Sequence, residues 1–191
     1  MSRSYEFVQL DVFTRKPLTG NPLAIFTDAR ALTDQEMQAL AREMNLSETT
    51  FILPRELQVE AQEGKRVRIF TVEEELPFAG HPTLGTALYL CNTAASRVDE
   101  IVLDLNVGKI GVRFSTDSDS GSNRVAGDVF GEMRQRDPEF GPTLPRDKVA
   151  SILRADAGEI ATEWPSQVVS TGTSFRDCAD SRVEDFSKLE T

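Results

Sequence analysis

Glu75-Leu76-Pro77-Phe78-Ala79-Gly80-His81-Pro82-Thr83-Leu84-Gly85 reads as a turn that delivers a histidine to the start of a helix. Pro82 suits the first helical position, where its missing N–H is no loss and its fixed φ is already helical. Leu84, Ala87, Leu88 and Cys91 then follow at i, i+3, i+4 and i+7, one buried stripe. Gly80 and Gly85 let other groups approach the backbone closely. The first amides of such a helix lack internal partners and carry the positive end of its dipole, so they suit a carboxylate or phosphate. His81 is the only histidine in the chain and stands at that point. The same residues also describe a plain capped helix with a histidine on a loop.

Toward the N-terminus, Tyr5 to Phe13 alternates as a strand and Leu23 to Phe26 is a short apolar run. Thr33 and Glu36 have the spacing of a capping box, with Leu32 placed to staple onto Met37. Met37, Leu40, Ala41 and Met44 form that helix's buried stripe, and Asn45 suits its end. Thr49 to Ile52 favour a strand that Pro54 ends, with Glu48 at its entrance. A lone carboxylate there is ordinarily a solvated loop residue; at the mouth of a sheet it can also act as a base. Val67 to Thr71 is a further strand, and Glu73-Glu74-Glu75 reads as a solvated turn rather than a metal site.

Toward the C-terminus, the helix runs to about Cys91, and Ile101–Leu105 and Lys109–Phe114 form a hairpin. Residues 115–123 are polar and low in complexity, a loop or linker. Asp128 to Arg136 resumes strand-like sequence, and a turn spans Pro138 to Pro142. A short helix runs from Pro145 to Leu153 with Val149, Ile152 and Leu153 inward, and Gln167–Ser170 is a last strand. Short strands interrupted by single helices predict an α+β fold, with strands wrapped around the helix after Pro82. The expected divisions are a first lobe over 1–114, a polar linker over 115–127, a partial second lobe over 128–175 and a divergent tail over 176–191.

The 191 residues are 39% hydrophobic and 27% charged, the composition of a globular protein. No apolar run reaches membrane-spanning length, and the N-terminus enters strand sequence at once. Cys91 and Cys178 form no metal-ligand spacing, which points to a reducing cytoplasm. A formal charge of −10 argues against nucleic acid or an anionic membrane as partner, but allows a local pocket for a small anionic metabolite.

Several of these segments, in this order, resemble the phenazine biosynthesis PhzF family, isomerases with the diaminopimelate epimerase fold. They are Asp11-Val12-Phe13, Gly20-Asn21-Pro22-Leu23-Ala24, Asn45 to Phe51, Arg68-Ile69-Phe70-Thr71, Glu75 to Gly85, Val107-Gly108-Lys109-Ile110 and Ser170-Thr171-Gly172. The resemblance covers Tyr5 to Phe175. It implies two similar lobes, each a curved, mainly antiparallel sheet around a central helix, with the site between them. It also implies an activity without cofactor or metal. Glu48 matches the family's catalytic, proton-moving glutamate, and Gly80 and His81 match residues lining the site, where the histidine, also catalytic, assists the proton relay. The resemblance marks Asn21, Gly80, Pro82 and Thr83 as substrate-binding positions.

One departure stands out. The family is longer and carries in its second lobe an Asp-Pro-x-Thr-Gly segment whose aspartate faces the site; this chain has none, and from Arg176 its sequence looks foreign to the family. The expectation is therefore an isomerase or epimerase acting on a small carboxylated metabolite, this short form having little or no turnover and pairing as a homo-oligomer to cover open edges. The alternative is a non-catalytic binding or oligomerisation module that keeps half the cleft. A metal-dependent hydrolase fits poorly, because one histidine cannot build the usual site.

Overall fold

The computed structural model describes residues 3–96, 98–116, 129–135, 137–171 and 174–177. Two compact units divide the chain, Met1–Gln135 and Arg136–Thr191. The first is built on eight strands: β1 (Phe7–Val12), β2 (Asn21–Phe26), β3 (Thr49–Leu53), β4 (Lys65–Phe70), β5 (Glu75–Leu76), β6 (Glu100–Leu105), β7 (Gly108–Thr116) and β8 (Val129–Met133). Their order is β1-β2-β3-β4-β6-β7-β8, with β5 pairing only β4. The sheet is mixed: β2/β3 and β4/β6 are parallel and the other pairs antiparallel. Each parallel step needs a crossover, supplied by helices α1 (Asp34–Met44) and α3 (Gly80–Thr93). Between them lies α2 (Leu57–Glu63).

Helix α3 packs against β1 and β2 at one end of the strand order and against β6 and β8 at the other. A sheet that touches one helix with both ends has to curl around it, which is the expected α+β arrangement. The innermost residues of α3 are small: Pro82, Thr83, Gly85, Thr86 and Ala87 are buried, while Leu84, Leu88 and Cys91 are only half-buried. This corrects the stripe read from the leucines. The curled strands approach so closely that a methyl on Gly85 would stand 2.7 Å from both Leu23 Cδ2 and Val12 Cγ2. Thr86 and Thr50 of β3 satisfy each other by a buried hydroxyl pair at 2.9 Å.

The other face of β2, β3 and β4 packs on α1 through Phe26, Phe51, Phe70, Met37 and Ala41. Phe51 stacks on Phe26 at 4.9 Å and meets Phe70 edge-on at 5.4 Å. These three strands are thus buried on both faces, which explains their unbroken apolar runs. Helix α1 begins with the expected Thr33–Glu36 capping box and ends at Asn45 in the left-handed region, φ 53°.

Other expectations shift. Helix α3 starts two residues before Pro82, with Ala79 as N-cap, and its first internal bond runs from the Thr83 amide to the Ala79 carbonyl. Pro82 therefore stands third, still within the turn whose amides have no helical acceptor, so its missing N–H is tolerated. Glu75 is no solvated turn residue. It lies on β5 and receives two bonds from Arg68, Nε to Oε1 at 2.7 Å and Nη2 to Oε2 at 2.6 Å, and a third from Asn106 at 2.7 Å. The first lobe does not end at residue 114. Ser115 and Thr116 continue β7, and β8 adds to the same sheet by pairing with it. Residues 117–127 of the expected linker lie outside the described residues.

In the second unit, β10 (Gln167–Ser170) is flanked by β9 (Glu139–Thr143) and β11 (Ser174–Asp177), with helix α4 (Arg146–Leu153) between β9 and β10 in sequence. Strand β9 corrects the expected turn at 138–142. Its pairing with β10 slips between Gln167 and Val169, so Gly141 and Pro142 occupy an irregularity on an edge strand, where proline is accepted. Strand β11 runs through Arg176 and Asp177, so the pattern does not break at Arg176; residues 178–191, Cys178 included, lie outside the described residues. The unit's small core is Val149, Ala150 and Ile160. Ile152 and Leu153, expected inward, are about half exposed at 49% and 52%. Among the described residues no helix is long and apolar enough to cross a membrane.

Candidate active site

Asn45 reverses the chain after α1, and Leu46-Ser47 lead into Glu48, the residue immediately before β3. Its position is fixed by its neighbour, since Thr49 pairs with Ala24 on one side and Phe70 on the other. His81 is the second residue of α3, and the preceding segment is anchored by buried Phe78. The two side chains meet: Glu48 Oε2 lies 3.4 Å from His81 Nδ1, with only 18% and 8% of the side chains exposed. Residues 33 positions apart in sequence thus form a sheltered carboxylate–imidazole pair. Glu48 Oε2 and His81 Nε2 are both buried without a hydrogen-bond partner among the described residues. Buried polar atoms are normally satisfied, and exceptions concentrate where chemistry or a ligand is to use them.

The other expected positions differ in what they offer. Thr83 is fully buried, and both its hydroxyl, at 2.6 Å, and its amide bond the Ala79 carbonyl. Pro82 is buried and has no amide to give. Gly80 and His81 therefore hold the amides at this helix start that have neither an acceptor one turn back nor another partner among the described residues. Asn21 opens β2 opposite Val12 and is half-buried, at the strand end that the parallel β2/β3 register shares with Glu48.

Two further residues border the site: Met133, read in the sequence only as an apolar point of a strand, and Gln135, not singled out at all. A methyl placed on Gly80 would come 3.8 Å from Gln135 Nε2 and 4.0 Å from Met133 Cε. Nothing local in Glu132-Met133-Arg134-Gln135 signals this. Their place follows from β8 joining the first sheet, which the polar stretch before it conceals.

A curled mixed sheet closed on a helix whose start holds a buried carboxylate–imidazole pair places the protein among the epimerase-like α+β folds. The chain belongs to the PhzC-PhzF family: the model of that family, described as phenazine biosynthesis-like protein, matches residues 10–178. The match reaches past Phe175, in keeping with the extent of β11. A trans-2,3-dihydro-3-hydroxyanthranilate isomerase of Pseudomonas aeruginosa is 45% identical over 106 residues, 56% of this chain and 36% of that protein. An uncharacterized isomerase of Clostridium acetobutylicum is 33% identical over 184 residues, 91% of this chain and 55% of that protein. Among solved structures, a predicted epimerase of Pseudomonas aeruginosa superposes with a TM-score of 0.76 at 36% identity, covering 93% of this chain and 60% of that one. A PhzF-family protein of Bacillus anthracis gives 0.67 at 26% identity over 88% of this chain and 54% of that one. The chain spans about half the length of the relatives matched along most of it.

Proposed function

We propose that this chain carries the first half of a PhzF-type isomerase site, which moves a proton on a small carboxylated metabolite. The observation that carries this reading is the buried contact between Glu48 and His81, with an oxygen and a nitrogen on the two side chains that have no hydrogen-bond partner among the described residues. In the proposed step a Glu48 oxygen takes a proton from a carbon activated by a neighbouring carboxylate or double bond. The electron pair left behind spreads into that conjugated group. A proton returned at another atom completes the isomer, with His81 placed to pass or steady it. The amides of Gly80 and His81, at the positive end of α3, would hold the substrate carboxylate and favour the charge that develops. We place this activity in the cytoplasm, with the chain working as a homo-oligomer.

A second reading is a non-catalytic binding or oligomerisation module. It draws on the second unit, where Phe140 and Trp164 are 67% and 69% exposed over a core of three buried apolar residues.

One experiment separates the two. The protein is incubated in heavy water with trans-2,3-dihydro-3-hydroxyanthranilate, the compound named for the Pseudomonas aeruginosa relative, and deuterium uptake and product are followed by mass spectrometry. Isomerase chemistry at half a site predicts little turnover but measurable deuterium uptake at the carbon that Glu48 deprotonates, lowered at least about a hundredfold by Glu48→Gln, which keeps the shape and removes the base. Full activity in Glu48→Gln would remove Glu48 from the role. No deuterium uptake, with a ligand-dependent shift of the lone histidine's resonance, would favour the binding module.

A further inference from the structure

Gly80 poses a question that neither packing nor backbone answers. Its φ is not in the left-handed region, and beyond its own helix a methyl there would meet nothing closer than 3.8 Å among the described residues. Alanine would fit and would suit a helix better than glycine. A methyl there would stand between the start of α3, where the amides of Gly80 and His81 have no partner among the described residues, and the end of β8. Gln135 reaches into that space with its carboxamide nitrogen, beside the Met133 methyl. Gln135 is exposed and has no hydrogen-bond partner among the described residues. On the same turn of α3, the His81 side chain is more than nine-tenths buried, and its Nε2 has no hydrogen-bond partner among the described residues.

We infer that Gln135 is a further substrate-binding residue, whose carboxamide N–H donates to the carboxylate held by the amides of Gly80 and His81. This rests on the isomerase-site reading above and adds a contact from a different strand. The chemistry is specific. Backbone amides at a helix start accept any small anion. A carboxamide at their side gives a third donor and adds no charge, so it favours a planar carboxylate over a bare halide. It also provides an acceptor oxygen for an amine or hydroxyl next to that carboxylate. Met133 supplies an apolar wall for the rest of the molecule. Gly80 is then the residue that lets the carboxylate approach the backbone.

The test uses the full chain with isotope-labelled histidine. Because His81 is the only histidine, its imidazole signal needs no assignment. Anthranilate is the probe and aniline, which lacks the carboxylate, the control; affinities are read from the His81 shift and from calorimetry. The wild type is expected to bind anthranilate and not aniline. Gln135→Leu should weaken anthranilate about tenfold, the loss of one hydrogen bond to a charged group. Gln135→Glu should weaken it further by repulsion, and Gly80→Ala should abolish it by filling the space. The His81 signal of each ligand-free Gln135 variant should match the wild type, which excludes general damage. Wild-type affinity in both Gln135 variants would overturn the role of Gln135 and leave the site reading intact. A wild type whose His81 signal ignores anthranilate would overturn both.

Discussion

Glu48 and His81 hold buried atoms without a hydrogen-bond partner among the described residues. Such atoms lower stability, by about 1–3 kcal/mol for a neutral group left without a partner, and persist where function needs them. Glu48→Gln is therefore expected to leave thermal stability unchanged or to raise it, by up to about 1 kcal/mol, while removing proton transfer. A chemical melt of wild type and variant checks this. A clear loss of stability in Glu48→Gln would show that the carboxylate is structural. Glu48 as a candidate was legible because a carboxylate at a strand entrance stands out, and His81 because it is the only histidine. Their contact was not legible, because it depends on β3 and the start of α3 converging at one end of a curled sheet. The withdrawal of Thr83 into its own helix was equally hidden, since it depends on where the N-cap falls.

Elements with local chemical signatures were readable, and those set by neighbours were not. Helix α1 declares both ends through Thr33, Glu36 and Asn45, and the structure reproduces them. Thr33→Ala should lower stability by about 1 kcal/mol, as for other lost N-caps, read from the urea midpoint. Helix α2 escaped the sequence because it buries no residue and so leaves no periodicity. Strand β9 escaped because Gly141 and Pro142 read as a turn when the edge position that admits them is unknown. The core face of α3 was misread because apolar size was taken as the signal, whereas close approach selects small residues. Gly85→Ala tests that point directly. Its methyl would meet Leu23 of β2 and Val12 of β1, two adjacent strands, each at 2.7 Å. Overpacking of this kind lowers stability by about 1–3 kcal/mol, and the helix preference for alanine offsets less than that. A Gly85→Ala protein as stable as wild type would mean that the sheet yields around α3.

For the whole molecule, the acid run at Glu73–Glu75 and the charge of −10 suggested a surface of solvated carboxylates. The structure instead places several in pairs within the first unit. The Arg68 guanidinium, followed by Asn106, holds Glu75 below the usual carboxylate range against its partial burial. Glu60 is also lowered: burial acts the other way and is outweighed by Lys65 and the Arg55 amide. The backbone amide of Thr33, then Arg3, lowers Glu36, and Arg30 lowers Asp28. A carboxyl whose folded pKa is lowered contributes stability above its unfolded pKa, about 4. That contribution is lost as pH falls through the folded value. The net negative charge works in the opposite direction, because repulsion fades as the pH approaches the sequence pI of about 4.7. Repulsion between exposed charges is largely screened at physiological salt, whereas the paired carboxylates lie within contact. The pairs should therefore dominate below about pH 4.5 and neither effect should dominate above it. The expected result is a urea midpoint for the first unit that is nearly flat from about pH 7 to 5 and falls steeply below about 4.5. The native His81 resonance reports on this unit, whereas the only tryptophan, Trp164, belongs to the second. Arg68→Gln removes the partner of Glu75, so it should lower the plateau and make the acid limb shallower. A midpoint that stays level or rises below about pH 4.5, or an Arg68→Gln limb as steep as wild type, would show that these pairs do not govern acid stability.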